Sequence, residues 1–220
     1  MSQFNTAIFD LDGTLLNTLE DLADAANVSL NQMGWPARTL DEIRRFVGSG
    51  IERLIRQAVP TGAGETDVLQ CLSIFREHYA AHMADKTAPY PGILPLLRTL
   101  REQEVATAVV SNKFDAAVKR LCVDCFPGLI QAAAGESDTA PRKPHPAMVF
   151  QALRDLGASP AGAVYVGDSD VDIQTAQNAG LPCLSVTWGF RDESFLRAHG
   201  ACTLIRRPEE LLPFFLSPPF

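Results

Sequence analysis

The hydrophobic positions along the chain fall into two patterns. Blocks at 5–10 (NTAIFD), 105–111 (VATAVVS), 129–134, 163–167 (AVYVG), 182–187 and 201–205 are short and apolar at successive positions. A strand buried on both faces reads this way, because neither face must meet water. Segments near 92–103, 114–125, 146–157, 170–180 and 191–199 instead space their apolar residues as a helix does. Strands alternating with helices of about ten residues predict a parallel sheet with helices on both faces.

Residues 17–88 break that rhythm, with helical patterns and no convincing strand. Thr18-Leu-Glu-Asp21 and Thr39-Leu-Asp-Glu42 both read as capping boxes that open helices. Gly34-Trp35-Pro36 closes the first helix, Pro60 to Gly64 separates later ones, and 65–85 fits a long amphipathic helix. The expected fold class is α/β, a Rossmann-like doubly wound, mostly parallel sheet with an inserted all-helical domain. The boundaries expected are 1–16 and 89–220 for the α/β core and 17–88 for the insertion.

Composition narrows the classes of function. Hydrophobic residues at 46% and charged residues at 20% are those of a soluble globular domain, not of a disordered chain. The net charge of −7, with no basic run, argues against a nucleic-acid partner. No stretch approaches the roughly 18 apolar residues of a membrane span, and the N-terminus lacks the pattern of a leader. Five scattered cysteines, an odd number, suit reduced thiols, so a cytoplasmic protein is expected.

Candidate chemistry gathers at the strand ends, where open α/β sheets bind ligands. The first strand delivers Asp10 and Asp12, the strand at 105–111 delivers Ser111, Asn112 and Lys113, and the strand at 163–167 delivers Asp168, Asp170 and Asp172. Lys143 stands in a proline-flanked loop, RKPHP. Carboxylates crowded at one rim repel one another, and a hard divalent cation such as Mg²⁺ relieves this. That arrangement points to an anionic substrate, a phosphate foremost.

The order of these residues resembles the haloacid dehalogenase superfamily. Its four motifs stand here as Asp10-Leu11-Asp12-Gly13-Thr14, Val109-Val110-Ser111-Asn112, Lys143, and Gly167-Asp168-Ser169-Asp170-Val171-Asp172. The insertion after the first motif, with VGSG at 47–50, YPGI at 90–93 and SNK at 111–113, is similar to the phosphoglycolate phosphatase-like branch. The resemblance implies a helical cap at 17–88 that closes over the substrate. It implies Asp10 as nucleophile, Asp12 as proton donor and then base, and Lys143 as charge balance. It further implies Ser111 and Asn112 as phosphate-binding residues. Mg²⁺ would be held by Asp10, the Asp12 carbonyl and Asp168, with Asp172 orienting the cluster. Gly48, Ser49 and Gly50 are cap candidates for substrate contact; the phosphonate-cleaving branch looks different around its first motif, and Lys86, near the returning linker, is the only cap-like candidate for its lysine.

The expected activity is Mg²⁺-dependent hydrolysis of a small phosphomonoester, with 2-phosphoglycolate first in line, through an aspartyl-phosphate. A sugar-phosphate phosphatase or phosphomutase is the alternative within the superfamily, and a phosphometabolite-binding module without turnover is the alternative outside enzymes. The expected partner is a small phosphorylated metabolite, with neither nucleic acid nor membrane, in a monomer or homodimer. Asp170 is read as a helix N-terminal charge, Cys122 and Cys125 as structural, and the C-terminal LLPFFLSPPF as a packed helix and tail.

Overall fold

The computed structural model describes residues 4–137 and 140–216. Its strands are β1 (Thr6–Phe9), β2 (Leu16–Asn17), β3 (Ala88–Pro89), β4 (Ala106–Phe114), β5 (Ala132–Glu136), β6 (Ala163–Gly167), β7 (Cys183–Val186) and β8 (Thr203–Ile205). Its α-helices are α1 (Leu19–Gln32), α2 (Leu40–Phe46), α3 (Ile51–Ala58), α4 (Glu65–His82), α5 (Ile93–Glu102), α6 (Asp115–Cys125), α7 (Ala147–Leu156), α8 (Asp170–Ala179), α9 (Glu193–Ala198) and α10 (Leu212–Phe215). The chain divides into two compact units, 1–16 with 89–220, and 17–88.

The first unit is built on a six-stranded sheet in the order β5-β4-β1-β6-β7-β8, with every neighbouring pair parallel. β1 lies inside it, and all four of its residues are buried. Their side chains alternate as the pleat requires. Ala7 and Phe9 join the core formed with Leu96, Leu97 and Leu100 of α5 and Val118 and Leu121 of α6. Ile8 joins the opposite core, with Met148, Val149 and Ala152 of α7 and Ala176 of α8. A side chain of this size contributes roughly 1.5–3 kcal/mol when fully buried, so both helical layers are held to the sheet by apolar area.

The order of strands switches direction at β1. From there the chain places β4 and β5 on one side and β6, β7 and β8 on the other. Helices therefore depart to both faces around the carboxyl end of β1, and a crevice opens where they diverge. The register carries Phe9 level with Val109 on β4 and Val166 on β6. The residues that follow β1 and β6 emerge at one rim; Ser111, Asn112 and Lys113 do not follow β4 but lie within its last part, which runs on to Phe114 with an irregular register from Val110.

The second unit is helical. Leu22, Ala26 and Leu30 of α1, Ile43 of α2, Leu54 and Ile55 of α3, and Leu72, Phe75 and Tyr79 of α4 are buried. Thr39 caps α2 with the expected reciprocal box to Glu42. Thr18 does not form the box expected at 18–21. Its backbone (φ −108°, ψ 5°) is not extended, and its buried hydroxyl has no partner among the described residues. Asp21 is turned instead to the backbone N–H groups of Lys86 and Thr87, at 3.0 and 2.8 Å. A carboxylate that takes two amide donors at the far end of the insertion is no longer available to the first turn of α1.

The C-terminal segment packs as read, with Phe215 buried beside Phe4; the rest of the expected tail, 217–220, lies outside the described residues. The five cysteines are free thiols. Among the described residues no helix is long and apolar enough to cross a membrane.

Candidate active site

Asp10 leaves the end of β1 with its N–H still donating to the Val166 carbonyl, so it stays pinned beside β6 at 2.9 Å. Its Oδ1 accepts from Leu11 N at 2.7 Å and pairs with Lys143 Nζ at 2.8 Å. The same ammonium meets Asp172 Oδ1 at 2.8 Å and the Tyr165 hydroxyl at 3.2 Å. Asp168 follows β6, with Oδ2 accepting from Phe190 N at 2.7 Å and Oδ1 from the Thr14 hydroxyl at 3.3 Å. One oxygen from each of Asp10, Asp168 and Asp172 lies within 4.8 Å of the others, and all three residues are buried.

Close approach at this rim depends on glycine. Gly13 adopts φ +89°, which side-chain-bearing residues avoid, and a Cβ there would fall 2.4 Å from Asp168 Oδ2. Gly189, in the loop after β7, passes just as near. A Cβ on it would lie 2.3 Å from the Gly13 carbonyl and 2.4 Å from the Asp168 side chain. Trp188 Nε1 donates to the Thr14 carbonyl at 3.0 Å, so this loop fastens the 13–14 turn from outside.

The electrostatics follow from burial. Burial, reinforced by the charge of Asp172, pushes the Asp10 carboxyl well above the usual carboxylate range, with Lys143 opposing. Burial and Asp172 likewise push Asp168 up to about 7, against the Phe190 N–H and the charges of Arg191 and Lys143. Burial works against the Lys143 ammonium, but Asp10 and Asp172 outweigh it and hold its pKa well above the ordinary lysine value. The Tyr165 phenol, raised mainly by burial, stays a neutral donor.

Four carboxylates (Asp10, Asp12, Asp168, Asp172) thus face two ammonium groups (Lys113, Lys143). Uncompensated negative charge on buried oxygens is what a hard divalent cation binds, so the donor set fits Mg²⁺. The donors are unequal. Asp172 Oδ1 is engaged by Lys143 and Tyr165, and Oδ2 by the Ser169 N–H and hydroxyl at 3.1 and 2.6 Å. This capping box opens α8, and Asp170 sits in its first turn as expected.

The residues of the second motif also bond to their neighbours in the site. Ser111 is buried and its Oγ accepts from Lys113 N at 3.2 Å. The Asn112 side chain grips the backbone of Lys143, accepting from its N–H at 2.7 Å and donating to its carbonyl at 3.2 Å. Lys113 Nζ donates to Asp12 Oδ1 at 2.8 Å, a pair whose lysine side chain is only 2% exposed. Tyr165 was legible only as part of an apolar strand. A tyrosine in an otherwise aliphatic central strand was the available clue, since its buried hydroxyl needs a partner. The 188–190 loop carried no comparable signal.

Gly48, Ser49 and Gly50 form the turn between α2 and α3, with positive φ at Gly48 and Gly50. Lys86 is held within the helical unit by Asp24 at 2.7 Å. His145 shapes its loop, its Nδ1 accepting from Ala147 N at 3.2 Å.

A family model described as haloacid dehalogenase-like hydrolase matches residues 7–186. The chain belongs to that family. It is 34% identical over 217 residues to a phosphoglycolate phosphatase of Pseudomonas putida, covering 96% of this chain and 79% of that one. A phosphoglycolate phosphatase of Mesorhizobium japonicum is 35% identical over 191 residues, covering 84% and 83%. The crystal structure of a candidate phosphoglycolate phosphatase from Lactobacillus delbrueckii subsp. bulgaricus superposes with a TM-score of 0.93 at 36% identity, over 98% and 99% of the two chains. CbbY from Rhodobacter sphaeroides in complex with phosphate superposes with a TM-score of 0.73 at 27% identity, over 94% and 96%. This haloacid dehalogenase-like hydrolase therefore shares both fold and branch with phosphoglycolate phosphatases.

Proposed function

We propose that this hydrolase is a Mg²⁺-dependent phosphatase of a small phosphomonoester, 2-phosphoglycolate foremost, acting through an aspartyl-phosphate on Asp10. The observation that carries the reading is the meeting of Asp10, Asp168, Asp172 and Lys143 at the switch point of the sheet, with Asp12 two residues from the nucleophile. The names of its relatives support the substrate.

In the first step an Asp10 carboxylate oxygen bonds to phosphorus while the ester P–O bond breaks. Asp12 gives its proton to the departing oxygen, so a neutral alcohol leaves rather than an alkoxide. In the second step water attacks phosphorus, Asp12 takes its proton, and the Asp10–phosphorus bond breaks to release phosphate. Ser111 and the Asn112 N–H hold the phosphoryl oxygens. Lys143 offsets charge on Asp10 and on the phosphoryl group, and Asp172 and Tyr165 fix its position. Asp10, the Asp12 carbonyl and Asp168 would hold Mg²⁺, with Asp172 orienting them. The bound cation would supply positive charge to the transferring phosphoryl group.

Residues 17–88 serve as the cap of this core, and Gly48, Ser49 and Gly50 are its candidates for substrate contact. Free cysteines suit a cytoplasmic enzyme. A second reading, a phosphatase of a sugar bisphosphate, is favoured by the likeness to CbbY. One structure of a CbbY variant holds xylulose-(1,5)bisphosphate and superposes with a TM-score of 0.75 at 26% identity.

The test is phosphate release from 2-phosphoglycolate, xylulose 1,5-bisphosphate and p-nitrophenyl phosphate, with Mg²⁺ and with a chelator. Release that needs Mg²⁺ and vanishes in Asp10→Asn is expected. An inactive wild type, or an Asp10→Asn variant of full activity, overturns the reading.

A further inference from the structure

The chemistry proposed above accounts for Lys143 but not for Lys113. Lys113 is the last residue but one of β4, and its Nζ donates to Asp12 Oδ1 at 2.8 Å. Both side chains are shielded, at 2% and 14% exposure. Burying an ammonium is costly unless it is matched by opposite charge; Asp12 supplies that charge here, and this ties the lysine to the residue that serves the leaving oxygen.

Balancing the nucleophile is not the role of Lys113. Asp10 and Asp172 already share Lys143, each at 2.8 Å. Lys113 is instead one hydrogen bond from the carboxylate that handles the leaving oxygen. Its positive charge therefore stands beside the group that serves the leaving oxygen, where the alcohol portion of the ester would arrive. A neutral alcohol gains little from it. An alcohol with an anionic group one carbon from the ester oxygen brings that anion to within reach of an ammonium standing beside Asp12.

We infer that Lys113 is a specificity-determining residue, an ammonium shared between Asp12 and an anionic group on the leaving alcohol, which selects phosphomonoesters of hydroxycarboxylates. The inference rests on the phosphatase reading and names the substrate class of that same site. A short 2-hydroxy acid monophosphate fits it best, because its carboxylate is one carbon from the bridging oxygen. The long flexible stem of lysine lets the ammonium reach both Asp12 and the leaving group's carboxylate without moving the strand.

The test compares kcat/KM for 2-phosphoglycolate and for ethyl phosphate, which has a methyl group in place of the carboxylate. Wild type, Lys113→Met and Lys113→Arg are measured with saturating Mg²⁺. Wild type is expected to prefer 2-phosphoglycolate by at least about tenfold. Lys113→Met is expected to lower both rates and to bring their ratio close to one, a loss of about tenfold or more, the worth of one hydrogen bond to a charged group. Lys113→Arg keeps the charge and is expected to restore most of the ratio. A lysine that merely steadies Asp12 would slow both substrates equally, and an unchanged ratio overturns the inference. A wild-type ratio near one overturns it as well, whether or not the variants fold. Wild type that hydrolyses neither ester means that the phosphatase reading has failed first.

Discussion

Asn112 and Lys143 are 31 residues apart and exchange two hydrogen bonds, side chain to backbone, at 2.7 and 3.2 Å. The carboxamide stands in for a strand's peptide group and fixes the RKPHP loop, so the Lys143 ammonium reaches Asp10 and Asp172 together. Asn112→Ala leaves a buried N–H and carbonyl without partners, at about 1–3 kcal/mol each. A lower melting temperature and a kcat reduced by about 10- to 100-fold are expected. Thermal denaturation and steady-state kinetics on one preparation check both; an active variant with unchanged stability would show that the clamp is dispensable.

Asp10→Asn removes one of four crowded carboxylates. Activity should fall by at least about a thousandfold, as expected for loss of a nucleophile. The metal-free protein should nevertheless be more stable than wild type, because burial and Asp172 disfavour a charged Asp10. Calorimetry in chelator measures this, and a lower melting temperature in the variant would contradict it.

Stability should depend on pH through Asp168. Its carboxyl is raised to about 7 in the folded protein, against about 3.9 in an unfolded chain. Between these values the folded state binds the proton and the unfolded state does not. Metal-free stability therefore falls as pH rises from about 4 to about 7, by on the order of 1 kcal/mol per pH unit at most. Urea midpoints at pH 5 and 8 should show this loss in wild type and a smaller one in Asp168→Asn. Added Mg²⁺ should flatten the wild-type profile, because a cation favours the ionised carboxylate.

Gly189→Ala would drive a methyl group against the Gly13 carbonyl, 2.3 Å from the new carbon, where backbone must shift. A destabilisation of about 1–3 kcal/mol is expected, with weaker apparent affinity for Mg²⁺ as Asp168 is displaced. Denaturant titration and the Mg²⁺ dependence of turnover check the two effects. Wild-type values in both would mean that the loop yields without disturbing the rim.

Tyr165→Phe keeps the ring and removes the hydroxyl that meets Lys143 and Asp172 at 3.2 and 3.1 Å. About 1–2 kcal/mol of stability should be lost, with a reduction in kcat larger than any change in KM, because the ammonium is held less firmly. A change in KM alone would place the hydroxyl's effect on substrate binding instead.

The sequence by itself determined the parts whose cause is local. Runs such as AVYVG and TAVVS are apolar on both faces, so they must be interior strands, and polar residues that follow such strands must emerge at their ends. That was enough to expect Asp10, Asp168 and Asp172 at one rim, where they meet, whereas Lys143 follows no such strand and was placed by the resemblance of its loop to the family's third motif. Tertiary structure alone decided which atoms meet there. Asn112 clamping Lys143, Lys113 holding Asp12 across 101 residues, and Gly189 lying on Gly13 all depend on how β1, β4, β6 and the loop after β7 are aligned. Even the local rule failed where a distant partner competed, since Thr18 to Asp21 has the letters of a capping box and Asp21 is bonded instead to residues 86 and 87. Periodicity records the solvent on either side of an element, whereas a hydrogen bond depends on ångström distances that only the assembled sheet defines.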